Sequence, residues 1–267
     1  MSEADPPAVE PTGPAGFDAA PVDASRAPLM DHLIELRRRM LWSFAAVAAG
    51  FAVCLYFAKP IFGFLAQPLL RAGQGKLIYT QVFEAFFVDV KVAFFSALML
   101  AFPVIATQMW RFVAPGLYAN EQRAFLPFLL MTPLLFTLGA SLAYFFALPV
   151  ALQFALSFQG DVGGVEQQAL PGIGNYLSFV MRFLFGFGAA FLLPVLLMLL
   201  ERANIVTRAQ LVAGRRYAVV AAFAIAAVLT PPDVVSQLML AIPLTLLYEA
   251  SLVAIWFTER RRARTSA

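Results

Sequence analysis

Nineteen consecutive residues, 40–58, carry no charge, and this run constrains the chain more than any other feature. At 1.5 Å per residue, a helix of that length crosses the ~30 Å hydrocarbon core of a bilayer. A second apolar run covers residues 85–110, with Lys91 near one end and Pro103 as an expected kink. From residue 124 to residue 160 there is no ionised side chain, and Pro149 is expected to end that span near Leu148. Further spans are expected at residues 173–200, 217–230 and 237–257. The reading is an all-α polytopic membrane protein with six transmembrane helices, the fifth and sixth short.

Composition agrees and narrows the chemistry. Hydrophobic residues make up 61% of the chain and charged residues 13%, against roughly 45–50% and ~25% in soluble domains. With one cysteine, Cys54, and one histidine, His32, neither an internal disulfide nor a His/Cys metal site is expected, and no cofactor is implied. A net charge of +3 spread over the ends of apolar runs gives no basic face for nucleic acid.

The arginines report topology instead. Arg37, Arg38, Arg39, Arg111, Arg123, Arg202, Arg208, Arg215, Arg216 and Arg260 to Arg262 fall on alternate flanks of the spans, and the other flanks hold only Lys59, Arg71 and Lys76. Under the positive-inside rule both termini are expected in the cytoplasm. Residues 1–27 are acidic and proline-rich, and are expected to form a disordered tail without a secretory signal. Residues 28–258 form the membrane domain, and 259–267 a basic cytoplasmic tail.

Three segments carry candidate chemistry. Before the first span, Leu29, Leu33, Leu36 and Met40 recur at helical spacing, so this stretch is expected to lie along the inner surface. Its Glu35 is either an i,i+4 partner of Arg39 or a ligand-binding carboxylate. In the second loop Pro115-Gly116 marks a turn, and Asn120 is placed to cap a helix opening with Glu121, an acid also expected on dipole grounds. Between the last two spans, Thr230-Pro231-Pro232-Asp233 forms a tight turn, with Asp233 or Ser236 suited to cap the helix leading to Gln237. The fifth span, about 21 Å of helix, is too short for the core, so either Arg215 and Arg216 snorkel from within the membrane or, as expected here, this turn stops below the outer surface. Arg182 and Glu249 fall inside spans, where such groups usually find partners; Asp89 and Glu249 are the carboxylates within reach of Arg182. Gly139, Gly186 and Gly188 are expected at helix-packing positions.

With these segments in place, the chain resembles the TatC family, the large membrane subunit of the twin-arginine protein translocase. The resemblance rests on His32-Leu33-Ile34-Glu35-Leu36-Arg37-Arg38-Arg39, on Ala114-Pro115-Gly116-Leu117-Tyr118 with Glu121 and Arg123, on Tyr176-Leu177-Ser178-Phe179, and on Leu229-Thr230-Pro231-Pro232-Asp233 with Ser236-Gln237. It implies a receptor for paired-arginine signal peptides of folded cargo. Such a receptor assembles with the single-span subunits TatA and TatB, in several copies, in a bacterial cytoplasmic (inner) membrane, and the proton-motive force drives transport. By motif position it implies signal-peptide binding at Glu35 and Glu121, with Arg37, Phe112, Pro115 and Leu117 around them, and partner-helix contact at Thr230 and Gln237. Leu192 stands where many members of that family carry a polar or acidic residue.

Two other classes are weaker. A proton-coupled small-solute transporter using Glu249 and Asp233 is the main alternative, and no repeat between the halves supports it. An intramembrane serine protease would want a histidine within the membrane, whereas His32 precedes the first span.

Overall fold

The computed structural model describes residues 20–117, 122–203, 205–230 and 233–265; the side chains of 20–29, 31, 113–117, 122–128, 162 and 261–265 lie outside that description. Among the described residues, ten α-helices and one small hairpin follow in order. They are α1 (Ala20–Tyr56), α2 (Ala58–Arg71), α3 (Glu84–Leu117), α4 (Gln122–Leu142), α5 (Leu148–Leu156), β1 (Gly160–Val162), β2 (Val165–Gln167), α6 (Ile173–Ala190), α7 (Leu193–Arg202), α8 (Arg208–Ala213), α9 (Arg215–Leu229) and α10 (Val234–Thr265). Five segments are long and apolar enough to cross a membrane: His32–Tyr56, Glu84–Phe112, Leu129–Leu156, Ile173–Arg202 and Val234–Arg260. The molecule is a polytopic membrane protein. The expected fifth span, α9, has 15 residues and is not among the five.

Several boundaries differ from the sequence reading. The third span does not stop near Leu148. A π-helical turn, Ala143–Ala147, carries it into α5, where Pro149 occupies the first turn and its missing N–H costs nothing. The last helix is not short either, since α10 has 32 residues and Arg260 stacks over the Trp256 ring at 4.0 Å beyond the apolar run. What falls short is the reach of the α9–α10 turn. Leu229 closes on Gly186, where an added Cβ would stand 3.0 Å from Leu229 Cδ1. Gly186 is thirteen residues into α6, so the turn stops ~20 Å below the start of that helix.

No break separates a surface helix from the first span: α1 runs from Ala20 to Tyr56 as one helix. The sequence reading had α2 as loop. In α2, Pro68 lacks an N–H and so frees the Phe64 carbonyl, which accepts the Tyr144 hydroxyl at 2.7 Å; Tyr176 donates to the adjacent Leu65 carbonyl at 2.8 Å.

The core centres on α6, whose Leu177, Val180, Phe183 and Phe187 are fully buried. Small residues set the crossings. A Cβ on Gly139 would sit 2.6 Å from the Phe187 carbonyl oxygen, and one on Gly188 would meet the Phe136 ring at 2.7 Å, so both glycines stand at the α4–α6 packing contact as expected. Helix α1 packs on α3 through Gly50, Cys54, Ala93 and Ala97, with only 6% of its apolar window buried.

Two ends are distinguishable. The arginine end gathers Arg37 to Arg39, Arg111, Arg202, Arg208, Arg215 and Arg216. The cap end holds the β1–β2 hairpin and the segment before α3, where Ile78 and Gly172 form a bridge. There Glu84 accepts hydrogen bonds from Thr80 N–H, from Thr80 Oγ1 at 2.9 Å, from Gln81 N–H at 3.2 Å and from Gly174 N–H at 2.9 Å.

Candidate ligand-binding face at the arginine end

Glu35, Arg38, Arg39 and Trp42 recur at i, i+3, i+4 and i+7, which places them on one side of α1. Facing them from α3 are Gln108 and Arg111. Together with Ile34 these residues line a cavity of about 740 Å³.

Glu35, the one lining carboxylate among the described residues, is already engaged. Arg39 donates through Nε to Glu35 Oε1 at 3.0 Å and through Nη2 to the same oxygen. Its Nη1 donates to Gln108 Oε1 at 3.3 Å, which ties α1 to α3. The local i,i+4 reading of Glu35 is therefore what the structure contains. Both partners remain partly open, with Arg39 23% and Glu35 35% exposed at the side chain. Glu35 Oε2 has no hydrogen-bond partner among the described residues.

Of the other expected site residues, Phe112 stacks on His32 with centroids 4.3 Å apart and planes 20° off parallel. Arg37 is exposed on the outer side of α1. Helix α3 continues through Pro115 and Gly116 to Leu117, so the turn expected at Pro115-Gly116 does not form there; the side chains of Pro115 and Leu117, and Glu121 altogether, lie outside the described residues. Across the molecule, Thr230 is 7% exposed and its hydroxyl donates to the Ala226 carbonyl at 2.8 Å. The Gln237 amide donates to the Phe223 carbonyl at 3.3 Å, so Gln237 ties α10 back to α9 while the Thr230 bond stays within the last turn of α9. Asp233 caps α10 as expected, accepting the Ser236 N–H at 2.7 Å.

The expected pairing of Arg182 does not form. Arg182 is exposed on α6 and meets no carboxylate among the described residues, because Glu249 is taken by Arg215 at 2.9 Å. Glu249 thus sits at the arginine end, beside the base of α9.

Sequence reasoning missed Gln108 and Trp42 as lining residues, and Glu84 as the clasp of the cap. Gln108 left a signal, being an amide inside an apolar run one turn before Phe112.

Comparison with known proteins decides the family. The sequence model of the Sec-independent protein translocase protein (TatC) family matches residues 31–243. The chain belongs to the TatC family. A TatC from Magnetococcus marinus is 49% identical over 244 residues, covering 91% of this chain and 89% of that protein; one from Aquifex aeolicus is 42% identical, covering 84% and 93%. A crystal structure described as the twin-arginine translocase receptor TatC aligns with a TM-score of 0.72 at 42% identity, covering 83% of this chain and 96% of that one. A second, of the same receptor in DDM, gives 0.74 at 41%, covering 84% and 98%. TatC proteins are protein-translocase components, so this chain serves protein transport and is not an enzyme.

Proposed function

We propose that this TatC chain is the subunit that receives paired-arginine signal peptides of folded cargo and scaffolds the complex with TatA and TatB. It works in several copies in a bacterial cytoplasmic membrane, with both termini cytoplasmic and the proton-motive force as driver. The supporting observation is Glu35: a half-open carboxylate on the arginine end, with one oxygen held by a side-chain guanidinium and the other free among the described residues. A group that already binds one guanidinium has the geometry to bind another. Glu121, with Arg37, Phe112, Pro115 and Leu117, completes the proposed surface. The hairpin carrying Thr230 and Gln237 is the proposed seat of partner helices.

The transporter alternative is disfavoured by the Glu249–Arg215 pair, which holds that acid at the base of α9 rather than in mid-membrane. Photo-crosslinkers placed next to the two acids, at positions 34 and 122, leave both glutamates in place and test the receptor reading. Adducts with an arginine-pair signal peptide that vanish with a lysine pair support it; adducts equal to those from a probe at the cap-end residue Asp161 contradict it.

A further inference from the structure

The cavity beside Glu35 is lined by three arginines and one glutamate. Arg39 is committed to Glu35 and Gln108. That leaves Arg38 on α1 and Arg111 on α3, both exposed and neither paired with a carboxylate among the described residues. Two guanidinium groups from different helices facing one space repel each other unless an anion lies between them, and a phosphate offers the fork-shaped acceptor set that guanidinium prefers. Gln108 points its carbonyl oxygen at Arg39, which leaves its NH2 group available as a further donor.

The position of the cavity selects the kind of phosphate. Trp42 is 60% exposed and Ile34 65% exposed, and Trp42 stands two residues into the uncharged stretch that begins at Met40. That is the level at which tryptophan rings sit between headgroups and acyl chains. An anion bound here rests against an apolar wall continuous with the hydrocarbon, which suits a headgroup with its chains attached and not a hydrated ion.

We propose that this cavity holds the phosphate of an anionic phospholipid from the leaflet on the arginine side, clamped between Arg38 and Arg111 with its chains descending past Trp42. Basic pockets between membrane helices recognise headgroups by the same chemistry. The site stands on the cavity's charge and depth and does not depend on signal-peptide recognition by Glu35.

The test is native mass spectrometry of the full chain in detergent, titrated with phosphatidylglycerol or with phosphatidylcholine of the same acyl chains. The wild type should retain phosphatidylglycerol about tenfold better, and the Arg38→Gln/Arg111→Gln double variant should lose that preference. Arg216→Gln/Arg260→Gln removes the same charge from the same end outside the cavity and should leave the preference unchanged. Arg38→Lys/Arg111→Lys keeps the charge and should retain most of it, which guards against a glutamine variant that fails to fold. Equal preference in the wild type and the Arg38→Gln/Arg111→Gln variant would overturn the proposal. So would displacement of the lipid by inorganic phosphate but not by chloride at matched ionic strength, which would assign the cavity to a soluble anion.

Discussion

Glu84 at the cap end and Glu35 at the arginine end are both carboxylates at the edge of a span, yet their partners differ in kind. Glu84 accepts from the backbone N–H groups of Thr80, Gln81 and Gly174 and from the Thr80 hydroxyl. Three of those donors are backbone groups, fixed in place by the chain itself. Among the described residues Glu35 meets the Arg39 guanidinium alone, a side chain that also reaches Gln108 and can turn away. A carboxylate saturated by backbone locks two segments of chain together, while one held by a mobile side chain can exchange that partner for a ligand. The acid most fully hydrogen-bonded is therefore the structural one, and the loosely held acid is the candidate for recognition.

The largest effect on the fold should come from breaking the clasp. Glu84→Ala removes the acceptor that joins the segment before α3 to the start of α6, and Gly174→Val pushes a side chain into Glu84, since a Cβ there already lies 2.8 Å from its Oε1. Both variants should lower the thermal unfolding midpoint more than any substitution at Glu35. A midpoint within error of the wild type for both would erase the contrast.

A smaller effect is expected from releasing the exchangeable acid. Arg39→Gln removes an i,i+4 pair worth about 0.3–0.5 kcal/mol to the helix and the long 3.3 Å bond to Gln108, so stability should fall less than in the Glu84 variant. Signal-peptide affinity should rise by roughly three- to tenfold because no internal guanidinium competes for Glu35. An affinity that falls instead would make Arg39 a contact of the peptide and not its rival.

The cap end sharpens the contrast in depth. The α9–α10 turn lies ~20 Å below the start of α6, so Val234→Cys should react with a bulky impermeant thiol reagent far more slowly than Asp161→Cys. Equal rates would place the turn at the outer surface. The smallest effect belongs to Arg182→Leu. With no carboxylate to abandon among the described residues, this exposed arginine should be removable with unchanged unfolding and export; a clear loss of stability would reveal a partner.

Much of this was legible in the sequence, because span length, charge asymmetry and capping are local properties. Runs free of charge located the spans, Asp233 was one of two candidate caps and the structure uses it, and Gly139, Gly186 and Gly188 marked the crossings. Helix α2 was not legible: its 14 residues, with Lys59, Pro60 and Pro68, are too few for a span and broken by proline, and only Tyr144 and Tyr176 from distant helices complete its bonding. The end of the third span was misplaced because Pro149 reads as a stop, while the preceding π-turn absorbs it. At the candidate site, Glu35–Arg39 was visible as an i,i+4 pair. The Arg39–Gln108 bond joins residues 69 apart in sequence and needed the tertiary fold. Arg182 was misread because hydropathy gives depth but not which face of a helix is covered.

The central claim is that Glu35 is an exchangeable acceptor for a guanidinium. Its most direct test is the affinity of arginine-pair and lysine-pair signal peptides for the solubilised wild type and for Glu35→Ala. The wild type should prefer the arginine pair, and Glu35→Ala should bind it about ten- to a hundredfold more weakly with an unchanged unfolding midpoint, since charge-assisted hydrogen bonds are worth roughly 1.5–3 kcal/mol. Equal affinities for both peptides, in the wild type and the variant alike, would contradict it.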